Sequence, residues 1–262
     1  DYFTLNGVNY FPLLHQLTSS EIDCDRMDYL LRDSYFCGVS YGRYDLDWIL
    51  ENLEVCYIDG EATLGISERA VSTFDDFLLS RFHMFLMVYF HYRAVCLEQM
   101  LLKYFQTADG EYEIPADIEQ YQEHDDHHLS KILRNSKNKW AKKIVKNQIP
   151  KKIFESFSSQ DEERLSKLES FLVKNNIEYI KCSSQGRLSK YYTSDEEEEK
   201  KYTIKVSKKN TLNPDNKVFI NIQDATDLFT RYSTSHAVVR IHCDWEEVGK
   251  SLKEKITAII SL

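Results

Sequence analysis

The run Asp23-Cys24-Asp25-Arg26-Met27-Asp28-Tyr29-Leu30-Leu31-Arg32-Asp33 can bury only one of its sides, and this constrains the fold more than any other stretch. Wound as a helix at about 100° per residue, it puts Asp25, Tyr29, Arg32 and Asp33 on one face with Arg26 at the edge. Met27, Leu30 and Leu31 fall on the other face. Ser19 or Ser20 is available as the N-terminal cap. The helix is therefore expected to seat its apolar face in a core. Its polar face holds carboxylates that can bind a metal or a sugar hydroxyl, guanidinium groups that can pair with phosphate, and a phenol that can donate a hydrogen bond. Charge pattern alone also allows an amphipathic surface helix with weak ion pairs three or four residues apart.

Composition supports a helical globular protein. The 262 residues include 42% apolar and 13% aromatic positions, with only eight Gly and four Pro against seventeen Tyr and fourteen Phe. That is ample for one large or two modest domains. A net charge of −9 argues against bulk electrostatic binding of nucleic acid, though not against a small basic pocket for a nucleotide. The six cysteines are scattered, with no C-x-x-C pair and no zinc-finger spacing to a histidine. They read as small, mostly buried apolar residues of a reducing compartment. No signal peptide is evident, and the apolar stretch from Phe82 to Phe90 is too short for a membrane span. A soluble cytoplasmic protein is expected.

Along the chain, Asn6-Gly7 predicts a turn, and Pro12 the first turn of a short helix. Gly38 closes the two-faced helix, and a further helix starts from Asp45. Asp59-Gly60 between two apolar runs predicts a hairpin. A helical pattern then extends from Ser67 to about Gln106. Unbroken, it would span about 60 Å, so a kink is expected within it. The segment His124-Asp125-Asp126-His127-His128 is expected to cap a helix through an aspartate rather than bind a metal. From Lys151 onward, strand-like runs alternate with helices, and Ser194 to Lys201 reads as a charged loop. The expected architecture is mainly α over residues 1–150, with a smaller α+β lobe over residues 151–262.

The run from Ile22 to Asp33, followed by Gly38-Val39-Ser40-Tyr41-Gly42, resembles the "D-x-D-R-x-D-Y-L-x-R-D … G-x-x-Y-G" signature of HD-domain phosphohydrolases. It is most similar to the deoxynucleoside triphosphate triphosphohydrolase branch. The stretch from Arg81 to His91 is similar to that family's "R-x-H-M-x-x-x-V-Y-x-H" helix. This resemblance covers most of residues 8–150 and implies the later portion of an HD-type helical domain. It makes Asp25 the catalytic, metal-binding aspartate and Asp23 a metal-adjacent candidate. Arg26 and Arg81 become phosphate contacts, Tyr29 and Asp33 hold the deoxyribose 3′-hydroxyl, and Tyr89 packs beside the nucleoside. Arg81, Phe85 and Tyr89, at i, i+4 and i+8, are expected to share a helix face. His83 and His91 are expected as core residues.

The same resemblance implies a divalent metal, Mg, Mn, Fe or Zn, held by a histidine, a His-Asp pair and a later aspartate. Here only the later aspartate is found. His15 is the sole histidine before Asp25, and no His-Asp pair precedes the signature. The chain therefore reads as the later part of a longer enzyme, with the other ligands upstream or on a partner segment. The implied function is hydrolysis of nucleotides, chiefly deoxynucleoside triphosphates, by a homo-oligomer or such a pair of segments. Two alternatives stand beside it: a non-catalytic nucleotide-sensing or assembly module, and an HD phosphodiesterase or nuclease.

Overall fold

A computed structural model describes residues 2–157, 161–186, 203–209, 217–231 and 236–261. The chain forms two compact units, one of residues 1–88 and 186–235, the other of residues 89–185 and 236–262.

The first unit opens with strands β1 (Thr4–Leu5) and β2 (Val8–Asn9), joined by the expected turn with φ 51° at Asn6 and 81° at Gly7. Helices α1 (Phe11–Thr18), α2 (Cys24–Phe36) and α3 (Leu46–Glu51) follow. The Asp59-Gly60 hairpin joins β3 (Leu53–Ile58) to β4 (Glu61–Ser67), with Ile58 opposite Glu61 and Leu53 opposite Ile66. Positive φ at both turn residues, 52° and 81°, matches the twist of the strands that the turn joins. Ala62 to Ile66 are all buried, the signature of a strand covered on both faces. A buried Gln16 side chain of α1 accepts a hydrogen bond from the Leu64 amide at 2.7 Å.

Beyond β4, helix α4 (Val71–Met84) carries Phe74, Phe77 and Leu78 into the core. It passes into a π-helical turn at Phe85–Tyr89, and α5 (Tyr92–Thr107) begins after it. The long helix predicted from Ser67 thus breaks at residues 85–91. The wider i→i+5 turn also changes the angular step per residue.

The second unit combines α5 with α6 (Ile118–Tyr121), α7 (Asp126–Asn135), α8 (Lys139–Val145), β5 (Lys151–Ser156), α9 (Glu162–Lys174) and β6 (Tyr179–Gly186). The Asp125 carboxylate accepts from the His128 amide at 2.8 Å, so it caps α7 as expected. Strands β7 (Lys205–Lys209) and β8 (Lys217–Asn221) and the short helix α10 (Leu228–Arg231) return to the first unit. Strand β9 (His236–Cys243) and helix α11 (Lys250–Ser261) complete the second. Its sheet has the order β5-β9-β6. Ile241 and Cys243 pack with Leu168, Leu172 and Ile256 on one side. Ile180 and Cys182 join Cys96, Met100, Tyr104 and Trp140 on the other.

The helical content follows expectation, but the two units do not divide at residue 150. Strand β7 runs parallel to β4, with Gly65 opposite Lys205 and Ser67 opposite Ser207, so strands placed in the C-terminal lobe extend the sheet of the first unit. The strands that follow Lys151 are divided between two sheets because strand pairing is non-local. The charged loop expected at Ser194 to Lys201 lies outside the described residues.

Candidate functional site

Helix α2 begins with Asp23, whose carboxylate accepts from the Arg26 amide at 2.8 Å. Asp23 is therefore the N-cap, the role expected of Ser19 or Ser20. Ser20 is buried and accepts from the Ile22 amide at 3.2 Å. At the other end of the helix, Gly38 follows the C-cap residue Cys37 with φ 66°.

The loop after α2 clamps it to α4. Tyr44 donates from its hydroxyl to the Met27 carbonyl at 2.6 Å, and its ring meets Phe77 edge-on with centroids 4.9 Å apart. Ser80 donates to the Arg43 carbonyl at 3.0 Å. A Cβ on Gly42 would stand 2.6 Å from the Leu30 carbonyl oxygen and 3.1 Å from Met84 Cγ. The last glycine of the signature is thus a packing requirement.

This clamp gathers charge at the first turn of α2. Glu21 is fully buried and ion-paired with Arg81 of α4, itself only 8% exposed. The Arg26 guanidinium lies 3.8 Å from Glu21 and 3.6 Å from Asp23, and donates to the Ser20 carbonyl. Tyr29 faces the same group. Burial raises its phenol above the ordinary value of 10.0, opposed by the charges of Arg81 and Arg26 and reinforced by those of Asp23 and Asp25. The phenol is a hydrogen-bond donor throughout the neutral range.

Five of the seven candidate residues therefore come together: Asp23, Asp25, Arg26, Tyr29 and Arg81. Asp33 sits one turn beyond Tyr29 on the same helix, half-buried, with its carboxylate 3.8 Å from Arg32. Tyr89 ends the π-helical turn and belongs to the second unit. His83 and His91, expected in the core, are exposed. Glu21 was not singled out from the sequence. Its signal was weak: one acid just ahead of the cap, whose arginine partner lies sixty positions away.

Three carboxylates (Glu21, Asp23, Asp25) against two guanidinium groups (Arg26, Arg81) leave a formal surplus of one negative charge. A polyphosphate would need added cations here. The chain's own residues do not form a centre for the divalent metal that the signature implies. Asp25 is exposed, Asp23 is turned into the cap, and Glu21 is taken by Arg81. Among the described residues, Asp25 stands in no group of three or more His, Cys, Asp or Glu able to hold an ion.

Residues 45–173 match the HD associated region. The uncharacterized Bacillus subtilis protein YwfO is 40% identical over 92 residues, 35% of this chain and 20% of its own length. A Methanocaldococcus jannaschii protein is 31% identical over 150 residues, 57% of this chain and 32% of its own. For a Mycoplasma pneumoniae protein the figures are 36% over 102 residues, 39% and 24%. The matches thus span about a third or less of these relatives. Two solved structures share the fold. A hypothetical protein from Aquifex aeolicus superposes with TM-score 0.70 at 22% identity, over 94% of this chain and 59% of that one. A phosphohydrolase from Bacteroides thetaiotaomicron does so with TM-score 0.62 at 21% identity, over 89% and 64%. No helix among the described residues is long and apolar enough to cross a membrane. Residues 45–173 are thus similar to the HD associated region, and the fold is shared with these two solved structures.

Proposed function

We propose that this chain carries the nucleotide-recognition part of an HD-type phosphohydrolase, with deoxynucleoside triphosphates as the substrate class. The observation that supports this most is the grouping of Arg26, Tyr29 and Arg81 with three acids at one end of α2. Arg26 keeps a quarter of its side chain exposed and presents the accessible guanidinium, whereas Arg81 is enclosed beside Glu21. Arg26 is therefore the direct phosphate contact in this reading. Arg81 positions Glu21 and adds positive potential behind it. Tyr29 donates to a sugar hydroxyl, and Asp33, one turn along the helix, accepts from one. Asp25, exposed at the helix start, is the carboxylate available to share a divalent cation with ligands from outside this chain. That cation, when bound, would polarise phosphate and water.

Titration of the 262-residue chain with dGTP and Mg2+ tests the recognition role. Arg26→Lys is expected to weaken binding more than tenfold, about 1.4 kcal/mol, because lysine lacks the planar fork. Its melting curve should stay close to wild type. Unchanged affinity in that variant would remove Arg26 from the site. Catalysis is tested in the full natural protein, where Asp25→Ala should abolish metal-dependent turnover. The enclosure of Arg81 by Glu21 favours a second reading, a nucleotide-sensing module. Nucleotide binding without turnover under any divalent metal would establish that alternative.

A further inference from the structure

Within the second unit, three side chains from separate elements bring metal-binding atoms together. Cys96 of α5, Cys182 of β6 and His242 of β9 place two sulfurs and an imidazole nitrogen within 4.8 Å of one another. They are 0%, 1% and 0% exposed. β6 and β9 are neighbours in one sheet, and Cys182 shares a core with the α5 residues Cys96 and Met100.

The histidine supplies an independent indication. Its Nδ1 lies 3.0 Å from the Pro150 carbonyl oxygen, which can only accept, so Nδ1 carries the proton. Nε2 then holds a lone pair, and it is buried with no hydrogen-bond partner. Leaving a buried acceptor unmet is unfavourable. Fixing one imidazole nitrogen against a carbonyl also orients the other as a metal ligand.

We propose that Cys96, Cys182 and His242 form a binding site for a zinc ion. Zinc with two thiolates and a neutral imidazole is electrically neutral, which suits a fully buried site. With Zn–S near 2.3 Å and Zn–N near 2.0 Å, tetrahedral donors stand about 3.5–3.8 Å apart. Donor atoms now within 4.8 Å reach that spacing with movements of about 1 Å or less. Thiolate donors select against magnesium, calcium and manganese. An entering ion displaces the protons of both thiols, which pass to solvent, and a fourth, exchangeable ligand such as water completes the tetrahedron. The ion would tie α5, β6 and β9 into one rigid core.

The test uses the complete chain, purified under reducing conditions from zinc-supplemented medium. We expect stoichiometric zinc by elemental analysis and a lower melting temperature once a chelator removes it. Cobalt(II) should restore stability and show thiolate-to-metal charge transfer with tetrahedral d–d bands. His242→Gln and Cys182→Ser should each abolish stoichiometric zinc. If the serine variant fails to fold, the cobalt spectrum of the wild type decides the matter alone. Substoichiometric zinc, a cobalt spectrum without sulfur charge transfer, copper in place of zinc, or a Cys96–Cys182 disulfide persisting under reducing conditions would each overturn the proposal.

Discussion

Arg81 of α4 and Glu21, sixty positions earlier in the chain, form a buried ion pair in which the glutamate is completely enclosed. Two charges removed from water offset one another only when both are present. Glu21→Ala is therefore expected to destabilise the protein by about 3–5 kcal/mol in urea unfolding, through loss of the carboxylate that offsets the buried Arg81 charge. The double variant Glu21→Ala with Arg81→Met should recover most of that loss. Additive effects in the double-mutant cycle would show that the two side chains are not coupled.

Asp23 both caps α2 and faces Arg26. Asp23→Ala should lower stability by about 1 kcal/mol through loss of the cap. Asp23→Asn retains the cap acceptor while removing the charge, so its unfolding midpoint should stay near wild type. If the two variants unfold alike, the charge rather than the cap is what the helix uses.

Tyr29→Phe removes a phenol that burial keeps protonated beyond its ordinary value of 10.0. Under the proposed function, affinity for a 3′-hydroxyl nucleotide should fall by about 0.5–1.5 kcal/mol, the net worth of one hydrogen bond. Affinity for the 3′-deoxy analogue should be unaffected. Calorimetric titration of both nucleotides makes the comparison, and equal losses on the two would assign Tyr29 to packing.

Gly42 has no room for a methyl group, since the Leu30 carbonyl would lie 2.6 Å from it. Gly42→Ala should cost about 1–3 kcal/mol as α2 is pushed from α4. Amide exchange should quicken in both helices. A wild-type melting temperature in this variant would mean that the loop yields easily.

Glu54 gives a pH dependence with a definite sign. Burial alone would raise it, but hydrogen bonds from Lys217 and Ser207, and the charges of Lys217 and Arg69, hold it below its ordinary value of 4.5. A carboxylate depressed in the folded state contributes stability that is present above 4.5 and is lost as pH falls toward the folded value. Lys217→Met should flatten the acid limb of the stability profile. A profile that remains superimposable on wild type below that pH would exclude the Lys217 contact as its source.

Elements governed by neighbours in the chain were legible in the residues alone. The Asn6-Gly7 and Asp59-Gly60 turns, the Asp125 cap and the buried face of Met27 and Leu30 appear where local rules put them, and the long helix breaks, as its length required, at a place those rules did not fix. These features depend on backbone conformation, side-chain period and helix length, which a few consecutive residues set. The signature likewise identified most members of the charged group, because Asp23 to Tyr29 sit within two turns of one helix.

What the sequence by itself determined was therefore which residues share a helix face or a turn, and from that a two-faced helix whose polar side carries Asp25, Arg26 and Tyr29. Only the tertiary structure decided which distant residues meet. It enclosed Glu21 with Arg81, placed β7 against β4 across the boundary expected at residue 150, and gathered Cys96, Cys182 and His242 from a helix and two strands. No spacing rule anticipates such meetings. They depend on strand pairing and on the burial of whole faces, which the chain reaches only after long loops close.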